Sequence, residues 1–261
     1  MNVLAFDIET IHDVELGRRL YGVTDLDDAG VAKIMAFKQK QARNTDFLPL
    51  AQQRIVAVSI VLRSRDALHV YSLGDADAPE RELVQRFFDG LDRYRPELVS
   101  WNGTGFDLPV LNYSALRPGV SAARYWDTGD GDREFRFNNY LGRYHWRHVD
   151  LMDVLAGYQH GGRASLELMA LLLGLPGKLG MSGDRVWGCY QRGELDAIRA
   201  YCETDALNTY LIFLRFQLLR GILDLDGYRA EVGVVEQKLE QSQAPHFAEF
   251  LSAWRAHRDE L

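Results

Sequence analysis

Three short stretches of this chain carry acidic side chains at spacings that could bring them to one place. The first is Asp7-x-Glu9, inside the N-terminal run VLAFDIET. Val3 to Ile8 is apolar and rich in strand formers, which predicts a buried β-strand. Side chains alternate faces along a strand, so Asp7 and Glu9 point one way while Phe6 and Ile8 point the other. Two carboxylates aimed together from a core strand repel each other and lose solvent, and a divalent cation is the usual remedy. The second stretch is Asn102-Gly-Thr-Gly-Phe106-Asp107, at a turn from strand to helix. The third is Tyr201-x-x-x-Asp205, within a helical stretch from Gly193 to Leu219, where residues four apart share a face. Taken singly, each has a plain structural explanation. Asp-x-Glu arises by chance, Asp107 can serve as an N-cap ahead of Pro109, and a Tyr four residues before an Asp occurs on many helices.

The elements that must position these groups can be read from periodicity. Residues around 14–20 and 28–43 read as helices, the second carrying Lys33, Lys38, Lys40 and Arg43 on a mixed face. The runs from Arg54 to Arg63 and from Ala67 to Leu73 are β-like, with a turn at Ser64-Arg65-Asp66 between them. Glu80 to Tyr94 is helical, with Leu83, Val84, Phe87, Phe88 and Leu91 inward and Pro96 closing it. Glu97 to Trp101 is another strand, residues 117–147 read as irregular, and the pattern from Asp150 onward is nearly all helical. The order β-β-β-α-β-α followed by helices predicts an α/β fold, a mixed five-stranded sheet flanked by helices with a helical C-terminal half. It matches a ribonuclease H-like core, in which a first-strand carboxylate sits beside others at the sheet's centre.

Bulk properties set the class. With 261 residues and 47% hydrophobic content, the chain can bury a sizeable core. No apolar run approaches the roughly 18–20 residues of a membrane span, and the N-terminus lacks the pattern of a secretory signal. Cys189 and Cys202 cannot build a disulfide framework and suit a reducing cytoplasm. There is neither a CxxC pair nor an HExxH, which argues against structural zinc. A net charge of −7 argues against a non-specific coater of duplex nucleic acid, though not against an enzyme that holds one strand end.

The strings FDIET, WNGTGFDLPVL and YCETDALNTY, in that order, resemble the DEDD exonuclease superfamily. Tyr201, four residues before Asp205, resembles its DEDDy branch; the His-type branch would have His at the position of Ala200. The fuller pattern, with HVDLMDVL, SLELMALLLGLPGK and GELDAIRAYC, resembles the predicted 3′–5′ exonucleases related to the proofreading domain of B-family DNA polymerases. The likeness covers most of residues 1–220, which implies an exonuclease domain there and a C-terminal helical extension of the same domain over 221–261. It implies Asp7, Glu9, Asp107 and Asp205 as metal ligands and Tyr201 as a group that positions or helps activate the attacking water. Oxygen-only ligands select hard cations, so two Mg²⁺ or Mn²⁺ ions are expected, about 3.5–4 Å apart. A free phenol titrates near pH 10, which suits Tyr201 to orienting water rather than acting as a full base.

Other residues have weaker claims. Thr10, just past the acidic strand, could contact the terminal nucleotide; Asn102 could shape the turn through its side chain; Phe106 could stack on the last base or sit in the core. Asp150 and Asp153 read as an N-cap and a first-turn acid, His148 as a partly exposed strand or loop residue. His12 could lie near the site. The stretch from Arg133 to His148 interleaves Arg with Phe, Tyr and Trp, as either a stacking surface for single strands or a hairpin with inward aromatics.

The expectation is a stand-alone cytoplasmic 3′–5′ exonuclease that acts on single-stranded DNA ends or 3′ overhangs and releases nucleoside 5′-monophosphates in repair or end processing. The residues after Gly221 are too few for a polymerase palm. An RNA 3′-end trimming enzyme is one alternative, since the same chemistry cleaves either backbone. A catalytically idle nucleic-acid-binding protein is the other.

Overall fold

The computed structural model describes residues 2–257. The N-terminal run forms β1 (Val3–His12), which occupies the middle of a five-stranded sheet. It pairs antiparallel with β2 (Gln53–Arg63), which pairs antiparallel with β3 (Leu68–Ser72). On its other side β1 runs parallel to β4 (Glu97–Ser100), and β4 parallel to β5 (His148–Asp150). The order β3-β2-β1-β4-β5 is the mixed sheet expected from the sequence. β5 was hidden there because three residues carry too little alternation to show as a strand.

Between β1 and β2 lie α1 (Val14–Tyr21) and α2 (Asp28–Arg43), at the positions their spacing predicted. They share a small core of Val14, Val31, Ala32, Met35 and Leu48. Gly17 is required at that contact, since a Cβ there would lie 2.4 Å from Met35 Sδ. Then α3 (Glu80–Tyr94) packs its Leu83, Phe87 and Leu91 face under the sheet, against Leu4, Phe6 and Ile8 of β1. It ends at Arg95 in the left-handed conformation, ahead of Pro96. α4 (Asp107–Leu116) follows β4, with Pro109 in its first turn, where a missing N–H costs no intrahelical bond.

The stretch 117–147 is not wholly irregular. It contains α5 (Ala123–Trp126) and a 3₁₀ turn over Arg133–Arg136, and it buries Tyr125, Phe135 and Tyr140. After β5 come α6 (Leu151–Leu155), α7 (Leu166–Leu172) and α8 (Val186–Gln191). The long α9 (Leu195–Leu219) then crosses the face of the sheet opposite α3, and α10 (Leu225–Glu240) and α11 (Pro245–His257) cover its outer side. α9 is buried on nearly every face from Tyr201 to Gln217, which explains its weak amphipathic signature: sheet and helices enclose it.

This sandwich fixes the orientation of the acids. Leu4, Phe6 and Ile8 belong to the α3 side and Ala5 to the α9 side. By alternation Asp7 and Glu9 therefore face α9. A shift in register between Glu9 and Thr10 interrupts the ladder just beyond them, as bulges often do beside functional sites. Both cysteines are buried and unbridged. Among the described residues, no helix is long and apolar enough to cross a membrane.

Candidate active site

Where α9 crosses β1, oxygens of Asp7, Glu9 and Asp205 lie within 4.8 Å of one another. Glu9 and Asp205 are buried and Asp7 partly so. Asp107, at the start of α4, is buried too, and its charge acts on both Asp7 and Glu9. It lies outside the tight group of three and approaches from the β4 side. Asp107 is the first helical residue and not the N-cap, which is Phe106.

Among the described residues, none of the four carboxylates has an ion-pair partner, and the electrostatic consequence is large. Burial pushes Asp7 well above the usual carboxylate range, and Asp107, Glu9 and Asp205 push it further. Glu9 is raised likewise, by burial and then by Asp205 and Asp107. Burial lifts Asp107 to about 7, with help from Asp150 and against the backbone amides of Asp107 itself and Ile8. Asp205 is also lifted to about 7 by burial, against a hydrogen bond from Tyr201. Acids crowded together without countercharge hold protons until a cation replaces them. The donor set is all carboxylate oxygen, which fits a hard divalent ion such as Mg²⁺ or Mn²⁺.

Tyr201 sits one turn before Asp205 and is buried against Ile11, Ala57 and Ile198. Burial first, then Asp205, Glu9 and Asp7, push its phenol far above the ordinary range. The hydroxyl therefore stays protonated, and it is a hydrogen-bond donor and not a base. Cys202 donates its thiol to the Asp7 carbonyl at 3.3 Å, joining α9 to β1 beside the acids.

The turn that presents Asp107 is built on backbone constraints. Asn102 is left-handed (φ 63°), and its carbonyl accepts the amides of Gly105 and Phe106, each at 2.9 Å. Gly103 has no room for a side chain, since a Cβ would lie 2.3 Å from Ser100 Oγ. Asn102 thus makes the turn through its backbone conformation and not its side chain. Nor does Asp150 cap its helix. It holds the N-cap position of α6 without a side-chain cap bond, and its carboxylate accepts the amides of Asn102 and Thr104, each at 2.9 Å. Asp153 pairs with Arg163, and with Arg143 at 3.7 Å. His148 is buried, contrary to its reading as partly exposed, and its Nε2 is 2.8 Å from Ser100 Oγ. Burial lowers its pKa to about 4, so the ring is neutral.

Around the acids, Thr10 donates its hydroxyl to Gln53 Oε1 at 3.1 Å. Phe106 packs against the α3-side core and against Phe47, with ring centroids 5.8 Å apart. His12 meets Trp187 edge-on, with ring centroids 5.0 Å apart. In the Arg-aromatic stretch, Phe135 and Tyr140 point inward and Arg147 lies over Phe135, while Phe137 and Tyr144 are exposed.

Sequence reasoning missed Lys178. Its ammonium is 6.0 Å from the centre of the Tyr201 ring, and its charge lowers both Glu9 and Asp205. Glu167 accepts the Lys178 amide at 2.7 Å, and Asn208 donates to the Gly177 carbonyl at 3.1 Å, so the loop bearing the lysine is pinned beside the site. The available signal was a single cation in the Gly-rich loop after SLELMALLLGL, and neither spacing nor periodicity distinguishes it.

Comparison with curated proteins finds no match to the sequence. Comparison with protein families finds one, described as predicted 3′–5′ exonucleases related to the exonuclease domain of PolB, over residues 45–254. That match includes Asp107, Tyr201 and Asp205, while Asp7 and Glu9 precede it. By a match over most of its length, the chain belongs to this family of predicted 3′–5′ exonucleases.

Proposed function

We propose that the protein is a metal-dependent 3′–5′ exonuclease acting on single-stranded DNA ends or 3′ overhangs. It would release nucleoside 5′-monophosphates during repair or end processing in the cytoplasm. The observation that carries this reading is the meeting of Asp7, Glu9 and Asp205, with Asp107 beside them, in a buried site without an ion-pair partner. Asp7, Glu9, Asp107 and Asp205 would hold two Mg²⁺ or Mn²⁺ ions. When bound, such a pair supplies a hydroxide nucleophile at neutral pH and neutralises charge on the departing 3′ oxygen.

The chain's own residues do the rest. β1 and α9 are rigid, buried elements, so their carboxylates are held in place before substrate arrives. Tyr201, protonated throughout, donates its one hydroxyl hydrogen toward Asp205 and would orient the attacking water through the hydroxyl oxygen, which accepts. Thr10, Asn102 and Phe106 line the neighbouring strand end and turn, where the terminal nucleotide would lie. Thr10 would act through its backbone, since its hydroxyl is bound to Gln53. Packing of α10 and α11 onto α9 supports reading the described part of 221–261 as an extension of one exonuclease domain covering 1–220.

The test is a ladder assay with 5′-labelled single strands of DNA and of matched RNA, with Mg²⁺ or Mn²⁺. Stepwise shortening of the DNA, abolished by chelation, is the expected result. Preferential shortening of RNA would reassign the substrate, and an unchanged band for both would reject the enzyme.

A further inference from the structure

Asp150 ends β5 beside Ser100, its register partner on β4, and Ser100 lies two residues before the turn. Its two oxygens are both spent: Oδ1 accepts the Asn102 amide and Oδ2 the Thr104 amide. The left-handed conformation of Asn102 turns these two N–H groups toward a common point, a backbone nest for an anion. Bonds from amides to a carboxylate are stronger than neutral ones. The grip is itself buried, with Asp150 only 6% exposed. Ser100 and His148 tie β4 to β5 immediately beneath it. Only two residues separate Thr104 from Asp107, and the second of them, Phe106, is not helical (φ −136°, ψ −69°). The direction of Asp107 is therefore set by where the turn is held, and not by α4 alone.

We propose that Asp150 is a positioning residue for the nuclease site: by clamping the amides of Asn102 and Thr104, it aims Asp107 at Asp7 and Glu9. The inference rests on the proposed metal site, and it assigns Asp150 neither a metal nor a substrate. An aspartate is needed, because the clamp requires two acceptor oxygens on a short side chain. Asparagine would turn a donor toward one of the two amides. Groups that orient metal ligands from behind typically contribute about 10–100-fold to metal affinity or activity.

The test compares wild type, Asp150→Asn, Asp107→Asn and the double variant. Amide hydrogen exchange at Asn102 and Thr104 is measured without metal, and affinity is measured by Mn²⁺ titration. Expected for Asp150→Asn are faster exchange at both amides, Mn²⁺ affinity lower by about 10–100-fold, and a reduced kcat with little change in KM. In the Asp107→Asn background the same change should cost no further Mn²⁺ affinity, because the ligand being aimed is already gone. Equal losses in both backgrounds, or wild-type exchange and affinity in Asp150→Asn, would overturn the proposal. If wild type binds no Mn²⁺, the metal reading fails on its own. The exchange rates then decide the clamp: faster exchange spreading to the Asp107 amide supports it, and unchanged exchange rejects it. Should Asp150→Asn not fold, Asp150→Ser, which keeps one acceptor, carries the same comparison.

Discussion

Two groups of largely buried acids, one at the carboxyl end of β5 and the start of α6, the other gathered where α9 crosses β1 with Asp107 at the start of α4, are treated by the fold in opposite ways. Asp150 and Asp153, at the end of β5, are fully provided for: two backbone amides hold the first, and Arg163 and Arg143 flank the second. Among the described residues none of Asp7, Glu9, Asp107 and Asp205 has an ion-pair partner, and burial drives all four above the usual carboxylate range despite the amides that reach Asp107 and the hydroxyl that reaches Asp205. Arginine countercharge is supplied to Asp153 and to none of these four, and the lysine charge beside them, Lys178, lowers only Glu9 and Asp205 of the four.

The contrast is broken most severely by removing an unsatisfied acid. Asp7→Ala or Asp205→Ala should lower release of mononucleotides from a labelled 3′ end by several orders of magnitude while leaving circular dichroism unchanged. Full turnover by either variant would remove it from the site.

Stability should respond with opposite signs in the two groups. Arg163→Ala leaves Asp153 buried with only the more distant Arg143, and should cost about 3 kcal/mol in denaturant unfolding. Asp205→Asn should instead raise the metal-free Tm above neutral pH. Folded Asp205 holds its proton up to about 7 against an ordinary value of 3.8, so the folded state binds more protons than the unfolded between those limits. Its contribution therefore falls as pH rises through that window. Asp107, also lifted to about 7, acts in the same direction. A metal-free Tm that rises across this window, with no flattening in Asp205→Asn, would show that these acids are not crowded.

Smaller changes sharpen the picture. Tyr201→Phe removes one hydrogen bond to a charged group, and should slow single turnover about 10–100-fold without weakening Mn²⁺ binding. A rate equal to wild type would remove its role in orienting water and leave the acid site standing. Lys178 is exposed, so Lys178→Met should reduce activity by less than about tenfold, and the deficit should shrink at high salt. A deficit independent of ionic strength would mean that the lysine contacts substrate directly.

The acids themselves were legible in the sequence because their signals are local. Alternation in VLAFDIET gives the shared face of Asp7 and Glu9, and helical spacing links Tyr201 to Asp205. The mixed sheet flanked by helices and the helical second half followed from the pattern of elements in the same way, while the three-residue β5 did not. What could not be read depends on contacts between distant segments. Asp150 looked like a helix cap because its sequence neighbours suit one, and its partners Asn102 and Thr104 lie across two parallel strands. Lys178 is brought to the acids by Asn208 and Glu167, which no spacing rule connects to it. The Arg-aromatic stretch divides into buried Phe135 and Tyr140 and exposed Phe137 and Tyr144, a choice settled by packing and not by composition.

The most direct test of the account is calorimetric titration of the purified protein with Mn²⁺ near pH 7. Saturable binding is predicted, with protons released as the ion displaces them from the raised carboxyls, and with both lost in Asp205→Asn. A correctly folded wild-type protein that takes up no Mn²⁺ and releases no protons would contradict it.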